Sequence, residues 1–395
     1  MSTPSLAAHE FELSVVLPCL DEARTIAACV QEACEAMTAA GINGEIIIAD
    51  NGSTDGSQLL AEKQGARVVP ITLKGYGHAL RGGIAAARGR FIIMGDADLS
   101  YDFSHLPRFV EKLRNGDDLV MGNRFLGGIQ PGAMPWKNRY LGNPGLTFIG
   151  QLFFRTSIRD FHCGLRGFSA EAYRRMNLQT TGMEFASEMV IKAVTLGMRV
   201  SEVPTVLRPD GRDRAPHLRP WRDGWRHLRF MLLFSPRWLF FYPGLLLMFG
   251  GALLGALLLP GPLKIGHVQL DVHTLLFAAG GILVGFQAVS FAALSKFFGI
   301  RSGLRPSETS FETRLSKLTL ETGILTGSLL ITIGVLLWAG ALWFWREQGF
   351  GSLQPAQTFR WVIPGSLCLA LGCQMILTSF FLGVLRLDTR GDHSS

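Results

Sequence analysis

Apolar residues come in short bursts over the first two hundred positions and in long ones beyond Trp238. The short bursts are rich in Val and Ile and lie at 13–17, 45–49, 67–69, 91–94 and 119–121. Runs of this length between polar turns predict buried strands. After the first of them, Ile26, Val30, Ala33, Cys34 and Met37 fall at i, i+4, i+7, i+8 and i+11, one face of a helix. Strands alternating with helices predict an α/β domain with a mostly parallel sheet covered on both faces. Ligands of such sheets bind beyond the carboxyl ends of the strands, which singles out Asp21, Asp50, Lys74, Asp96, Asp98 and Arg124.

The long bursts, at 238–259, 275–294, 324–345 and 361–385, each supply the roughly 20 residues that a membrane-spanning helix needs. Four spans place both ends of the chain on one side. The loop 261–271 has one Lys, and 346–360 has only Arg346 and Arg360, whereas 296–317 holds Lys296, Arg301, Arg305, Arg314 and Lys317. The excess of basic residues predicts that this loop, both termini and the N-terminal domain are cytoplasmic, on a multi-pass protein of the plasma (inner) membrane. Just before the spans, Leu218, Trp221, Trp225, Leu228 and Leu232 recur with helical spacing beside Arg219, Arg222, Arg226 and Arg229. That pattern predicts an amphipathic helix lying among membrane lipids; a surface helix packed on the preceding domain is the alternative. The expected division is 1–215, 216–237 and 238–395.

Composition refines this picture in three ways. The net charge of +7 over 395 residues is modest, and its basic blocks adjoin apolar segments, which favours lipid headgroups over nucleic acid. The six cysteines form no Cys-x-x-Cys pair, so neither a disulfide framework nor a cysteine metal site is expected. The first dozen residues have no apolar core of a signal peptide, consistent with a cytosolic N-terminal domain.

The candidate chemistry centres on Gly95-Asp96-Ala97-Asp98, directly after the fourth apolar run. Two carboxylates at i and i+2 suit a hard divalent cation, Mg²⁺ or Mn²⁺, carried by a diphosphate. Asp50-Asn51-Gly52-Ser53-Thr54-Asp55 follows the second run and Lys74-Gly75-Tyr76-Gly77 the third, and their glycines would let backbone N–H groups approach a diphosphate. Taken singly, Asp55 could cap a helix and the glycines could merely build a turn.

Taken in order, Pro18-Cys19-Leu20-Asp21-Glu22, the Asp50 to Asp55 stretch, Lys74-Gly75-Tyr76-Gly77 and Asp96-Ala97-Asp98 resemble the motif series of family-two inverting glycosyltransferases with the GT-A fold. Dolichyl-phosphate mannose synthases and bacterial polyprenyl-phosphate glycosyltransferases are the similar members. The resemblance implies that Pro18, Leu20, Glu22, Asp50 and Asp55 surround a nucleoside. It places Lys74 near the diphosphate, gives the nucleotide to Asp96, Ala97 and Asp98, and gives the metal to Asp96 and Asp98. It implies a polyprenyl phosphate acceptor held by Arg124, Arg139 and Asn143, and a sugar near Glu184 and Glu188. Arg166 is a further candidate, with pairing to Asp160 as its structural alternative, and Arg208 and Arg212 lie on a basic loop that would close over the diphosphate. Two departures stand out: Asp21 replaces a common Asn, and Ser100 occupies a position where some members place Gln. The rival functions are a processive polysaccharide synthase, whose Gln-x-x-Arg-Trp signature is matched by Gln357-Thr358-Phe359-Arg360-Trp361, and a non-enzymatic flippase or assembly partner.

Overall fold

The computed structural model describes residues 9–212, 220–302, 311, 313, 315 and 318–387. These divide into two compact units that meet between Phe234 and Ser235. The first begins β1 (Phe11–Cys19), α1 (Ile26–Ala39), β2 (Gly44–Asp50), α2 (Ser57–Lys63), β3 (Arg67–Pro70), α3 (Tyr76–Ala86) and β4 (Gly89–Met94). It continues through α4 (Leu106–Arg114), β5 (Leu119–Asn123), the single turn α5 (Arg124–Gly127), α6 (Asn143–Phe154) and β6 (Arg166–Ser169). It closes with α7 (Ala170–Met176), α8 (Phe185–Thr195), β7 (Val200–Pro204) and α9 (Pro220–Leu233).

The seven strands form one sheet in the order β3-β2-β1-β4-β6-β5-β7. All the pairings are parallel except those of β6, which runs antiparallel to both β4 and β5. The five predicted strands are present. β6 was missed because Arg166-Gly167-Phe168-Ser169 contains one apolar residue, and β7 because its alternation spans only five positions.

Alternate side chains of β1 feed two cores. Leu13, Val15 and Leu17 pack with Ile26, Val30, Phe103 and Phe109 on one face, and Val16 packs with Ile47, Leu80, Met94 and Phe185 on the other. Burial on both sides explains why the strands read as unbroken apolar runs, and each large side chain so buried contributes about 1.5–3 kcal/mol. Helix α1 buries Cys29 where Cys34 was expected; Cys34 is only partly covered. Pairing of Cys19 with Asp50 and of Val16 with Met94 aligns three strand ends, so the loops at 20–25, 51–56 and 95–100 share one edge of the sheet.

Helix α9 belongs to the first unit, and residues 216–219 of the expected interfacial segment lie outside the described residues. His227 and Met231 are buried, and Phe230 and Phe234 pack on the core, so its inward stripe is offset from the predicted one. Of the predicted stripe, Leu228 and Leu232 are half-buried and Trp225 is exposed. Among the described residues the second unit has four helices long and apolar enough to cross a membrane, Arg237–Leu258, Val272–Arg301, Leu320–Glu347 and Pro355–Arg386. A short hairpin of β8 (Leu263–Ile265) and β9 (Val268–Leu270) joins the first two.

Candidate active site

At the shared sheet edge, loops close on one another through carboxylates. Asp50 accepts from the N–H groups of Gly52 and Ser53 and from Gln58 Nε2. Asp21 accepts from Thr54 N at 2.7 Å, and Asp55 accepts from Ala23 N at 2.8 Å and from the Ser57 N–H and hydroxyl. Asp55 thus pins two loops and heads α2; these hydrogen bonds hold its pKa below the usual carboxylate value against the opposing pull of burial. These bonds tie the loop 20–25 to the loop 51–56 at the cleft expected to receive a nucleoside.

Asp96 and Asp98 follow β4 and differ in surroundings. Burial, and then the nearby charge of Asp98, push the Asp96 carboxyl above its ordinary range; its Oδ1 lies 3.4 Å from the Tyr76 hydroxyl. Asp98 Oδ1 accepts from the Ser100 N–H and hydroxyl, while its Oδ2 faces Arg212 Nη1 at 2.9 Å. The backbone between them is tied down by Thr25, whose hydroxyl donates to the Ala97 carbonyl at 2.6 Å. Gly164 is the close approach here: a Cβ at that position would stand 2.9 Å from Asp96 Oδ2 and 3.0 Å from the Tyr101 hydroxyl oxygen. Among the described residues no cluster of three or more His, Cys, Asp or Glu forms a preformed metal cage. Two adjacent carboxylate groups nonetheless fit a Mg²⁺ or Mn²⁺ that brings diphosphate and water oxygens with it, since such cations need only one or two protein carboxylates.

Arg208 and Arg212 fold back over this edge. Arg212 Nη2 lies 2.8 Å from Glu22 Oε1, and Arg208 bridges Glu32 at 3.1 Å and Asp102 at 2.6 Å. Gly211 N donates to the Asp98 carbonyl, docking the segment on the Asp-x-Asp turn itself.

Several predicted roles change. Gly75 and Gly77 make room for protein, because a Cβ on either would strike the backbone of Thr180 or Thr181, and His78 N donates to the Thr181 carbonyl. Lys74 Nζ donates to the Asn51 carbonyl at 2.5 Å. Arg124 is buried, and its Nε and Nη2 form a fork with Asp160, both at 2.7 Å, which takes up two of its five N–H donors. The expectation of Arg124 as an open phosphate clamp is corrected accordingly. Arg166 is wholly buried and donates to the carbonyls of Phe161, Cys163 and Ala186, so it is neither a surface site residue nor the partner of Asp160. Glu188 is also removed from the sugar site: it pairs with Lys192 at 2.8 Å and accepts from Gln179 N and Thr180 N, holding the loop that covers α3.

Glu184 remains: its Oε2 is buried and has no partner among the described residues. Arg139 is partly exposed over the Tyr140 ring and makes no ion pair among the described residues, and Asn143 donates to Met134 Sδ. In the second unit, Arg360 of the Gln357 to Trp361 match bonds Asp271 at 2.5 Å and the carbonyls of Ala356 and Leu258, tying span ends together. That structural work accounts for the Arg without a synthase motif. His162 was missed by sequence reasoning, because nothing in its spacing marks it; both of its ring nitrogens are buried without a hydrogen-bond partner among the described residues.

A mostly parallel sheet ending in an Asp-x-Asp turn, faced by Glu22, Asp50 and Arg212, defines a GT-A-like transferase domain. Residues 14–176 match the Glycosyl transferase family 2 family, and residues 293–386 match the Glycosyltransferase family 2 C-terminal transmembrane region. The chain is 38% identical over 382 residues, 94% of its length and 89% of the relative's, to the low-salt glycan biosynthesis hexosyltransferase Agl6 of Haloferax volcanii. It is 32% identical over 213 residues to glycosyltransferase AglJ of that organism, covering 53% of this chain and 67% of AglJ. It is 28% identical over 165 residues to the organism's dolichyl-phosphate hexose transferase, covering 42% of this chain and 70% of that protein. The chain belongs to glycosyltransferase family 2 and is an integral membrane protein carrying that family's C-terminal transmembrane region.

Proposed function

We propose that this enzyme transfers a hexose from a nucleotide sugar to a polyprenyl phosphate with inversion, giving a polyprenyl-phosphate monosaccharide on the cytoplasmic side of the membrane. The observation that carries the reading is an exposed aromatic face beside Arg139. Trp136, Tyr140, Leu141 and Phe148 are 63, 65, 64 and 64% exposed, and Lys137 and Arg139 lie over the rings of Trp136 and Tyr140. Exposed aromatics interleaved with cations suit the boundary between headgroups and acyl chains, and an acceptor with a lipid tail gives that face a purpose. The relatives named as a hexosyltransferase and a dolichyl-phosphate hexose transferase support hexose and lipid phosphate as the two substrates.

In this reading Pro18, Leu20, Glu22, Asp50 and Asp55 frame the nucleoside, Arg212 reaches toward the diphosphate, and Glu184 meets a sugar hydroxyl. Asp96 and Asp98 would hold a divalent cation, which neutralises charge growing on the departing diphosphate. The acceptor needs no general base: a phosphate monoester has its second pKa at about 6, so its oxygen is already anionic at neutral pH. What the protein supplies is alignment of that oxygen behind the anomeric carbon and fixed cations around the charge that moves. A single displacement inverts the anomeric centre.

The deciding experiment screens nucleotide sugars with polyprenyl phosphate and Mn²⁺ and scores glycolipid formation. Sugar transfer only to a water-soluble acceptor, with none to the lipid phosphate, would overturn the reading.

A further inference from the structure

The turn that carries His162 joins three elements on the acceptor side of the site. Asp160, two residues before it, holds Arg124. Phe161 is capped by α6, the helix that follows Arg139 and begins at Asn143: a Cβ at Gly150 would stand 2.9 Å from its ring, and the Thr147 hydroxyl meets its N–H. On the far side, the His162 ring stacks edge-on against His227 of α9 at 4.8 Å, and His227 Nδ1 is 2.8 Å from the Ser187 hydroxyl of α8. Two residues after His162, Gly164 abuts Asp96. The turn that carries His162 therefore meets the Asp-x-Asp turn at Gly164, α6 at Phe161 and α9 at the imidazole itself.

The charge around it is unbalanced. Arg124 is neutralised by Asp160, but Arg166 donates to carbonyl oxygens and has no carboxylate hydrogen-bond partner among the described residues. Burial, then the charges of His227, Arg166 and Arg124, hold the His162 pKa well below its ordinary value, which favours the neutral ring with its single N–H donor. Buried polar atoms without partners are costly, and a site rich in positive charge with an unused N–H is suited to an anion.

We propose that His162 is a binding residue for the phosphate of the acceptor, donating a ring N–H to a phosphate oxygen, with Arg166 as the fixed charge behind it. The inference rests on the lipid-phosphate reading above and adds to it a residue that the sequence motifs do not mark. A phosphate oxygen could equally come from the donor diphosphate, and the test separates the two sources.

The experiment uses full-length protein in nanodiscs and measures binding of farnesyl phosphate, of farnesol and of UDP with Mn²⁺ to wild type, His162→Phe and His162→Gln. The Phe variant keeps a ring and removes the donor; should it not fold, His162→Leu asks the same question. Loss of the donor should weaken farnesyl phosphate about tenfold or more, with farnesol and UDP unchanged and His162→Gln, which keeps an N–H, close to wild type. Unchanged farnesyl phosphate binding by the Phe variant overturns the proposal, as does a loss confined to UDP, which would move His162 to the donor. If wild type binds farnesyl phosphate no better than farnesol, the lipid-phosphate reading fails and this inference goes with it, a result distinct from a wild type that binds and a variant that binds equally well.

Discussion

Arg212 holds Asp98 and Glu22 together, its Nη1 2.9 Å from one carboxylate and its Nη2 2.8 Å from the other. A guanidinium in contact with Asp98 competes with any cation for that carboxylate and is the nearest donor for an arriving diphosphate. Arg212→Ala is expected to bind Mn²⁺ more tightly than wild type in the absence of nucleotide, by about tenfold if about 1.4 kcal/mol of competition is lost, and to bind UDP more weakly. Electron paramagnetic resonance of free Mn²⁺ measures the first and calorimetry the second. Weaker Mn²⁺ binding by the variant would show that Arg212 supports the site rather than competing for it.

Asp98→Ala should abolish sugar transfer and Mn²⁺ binding while the protein melts near the wild-type temperature. The side chain's polar contacts are with Ser100 and Arg212 at the sheet edge. Full activity in the variant, or in wild type treated with EDTA, rules out the metal role.

Arg139 and Arg124 should fail in different ways. Arg139→Ala is expected to raise the apparent acceptor KM or lower turnover about ten- to a hundredfold, the value of one charge-assisted contact of about 1.5–3 kcal/mol, with normal stability and donor affinity. Arg124→Ala leaves Asp160 buried without its partner, which costs about 3–5 kcal/mol of stability. Thermal melts alongside lipid titrations distinguish the two, and a stable Arg124→Ala protein would contradict the structural assignment.

Glu188→Ala should destabilise the domain by a similar margin, because Lys192 is 5% exposed at its side chain and would be stranded. Hydrogen bonds from Lys192 and Thr180 hold the Glu188 pKa below its ordinary value in spite of burial. A carboxylate with a depressed folded pKa contributes stability above its unfolded pKa and loses it as pH falls through the folded one. Wild type should therefore lose stability on acidification below the usual Glu range, and a Glu188→Gln variant should show a shallower loss over the same range in denaturant titrations.

The excess of basic residues in 296–317 predicts that this loop is cytoplasmic and that the β8–β9 hairpin faces the other side. A cysteine placed at Gly266 should react with an impermeant thiol reagent added outside intact cells, and one at Ser307, which lies outside the described residues, should not. The reverse pattern inverts the topology.

What the sequence determined by itself was whatever depends on local order along the chain: the apolar runs that became β1 to β5, the four long apolar helices, and Asp96 and Asp98 at a strand end. Periodicity and strand ends are visible in one dimension because the backbone repeats set them. The partners of the charged residues were decided only by the tertiary structure. Arg124 and Arg166 are similar in sequence, each within two residues of a glycine and a phenylalanine, yet one meets Asp160 and the other three carbonyls, because β5 and β6 deliver them to different surroundings. Glu184 and Glu188 likewise share a helix face by spacing, and only the fold gives Lys192, Gln179 and Thr180 to the second and none of them to the first. Charge pairing is settled by distance in space, and the antiparallel strand β6, which carries Arg166 and leads out of the His162 turn, had no hydrophobic pattern to announce it.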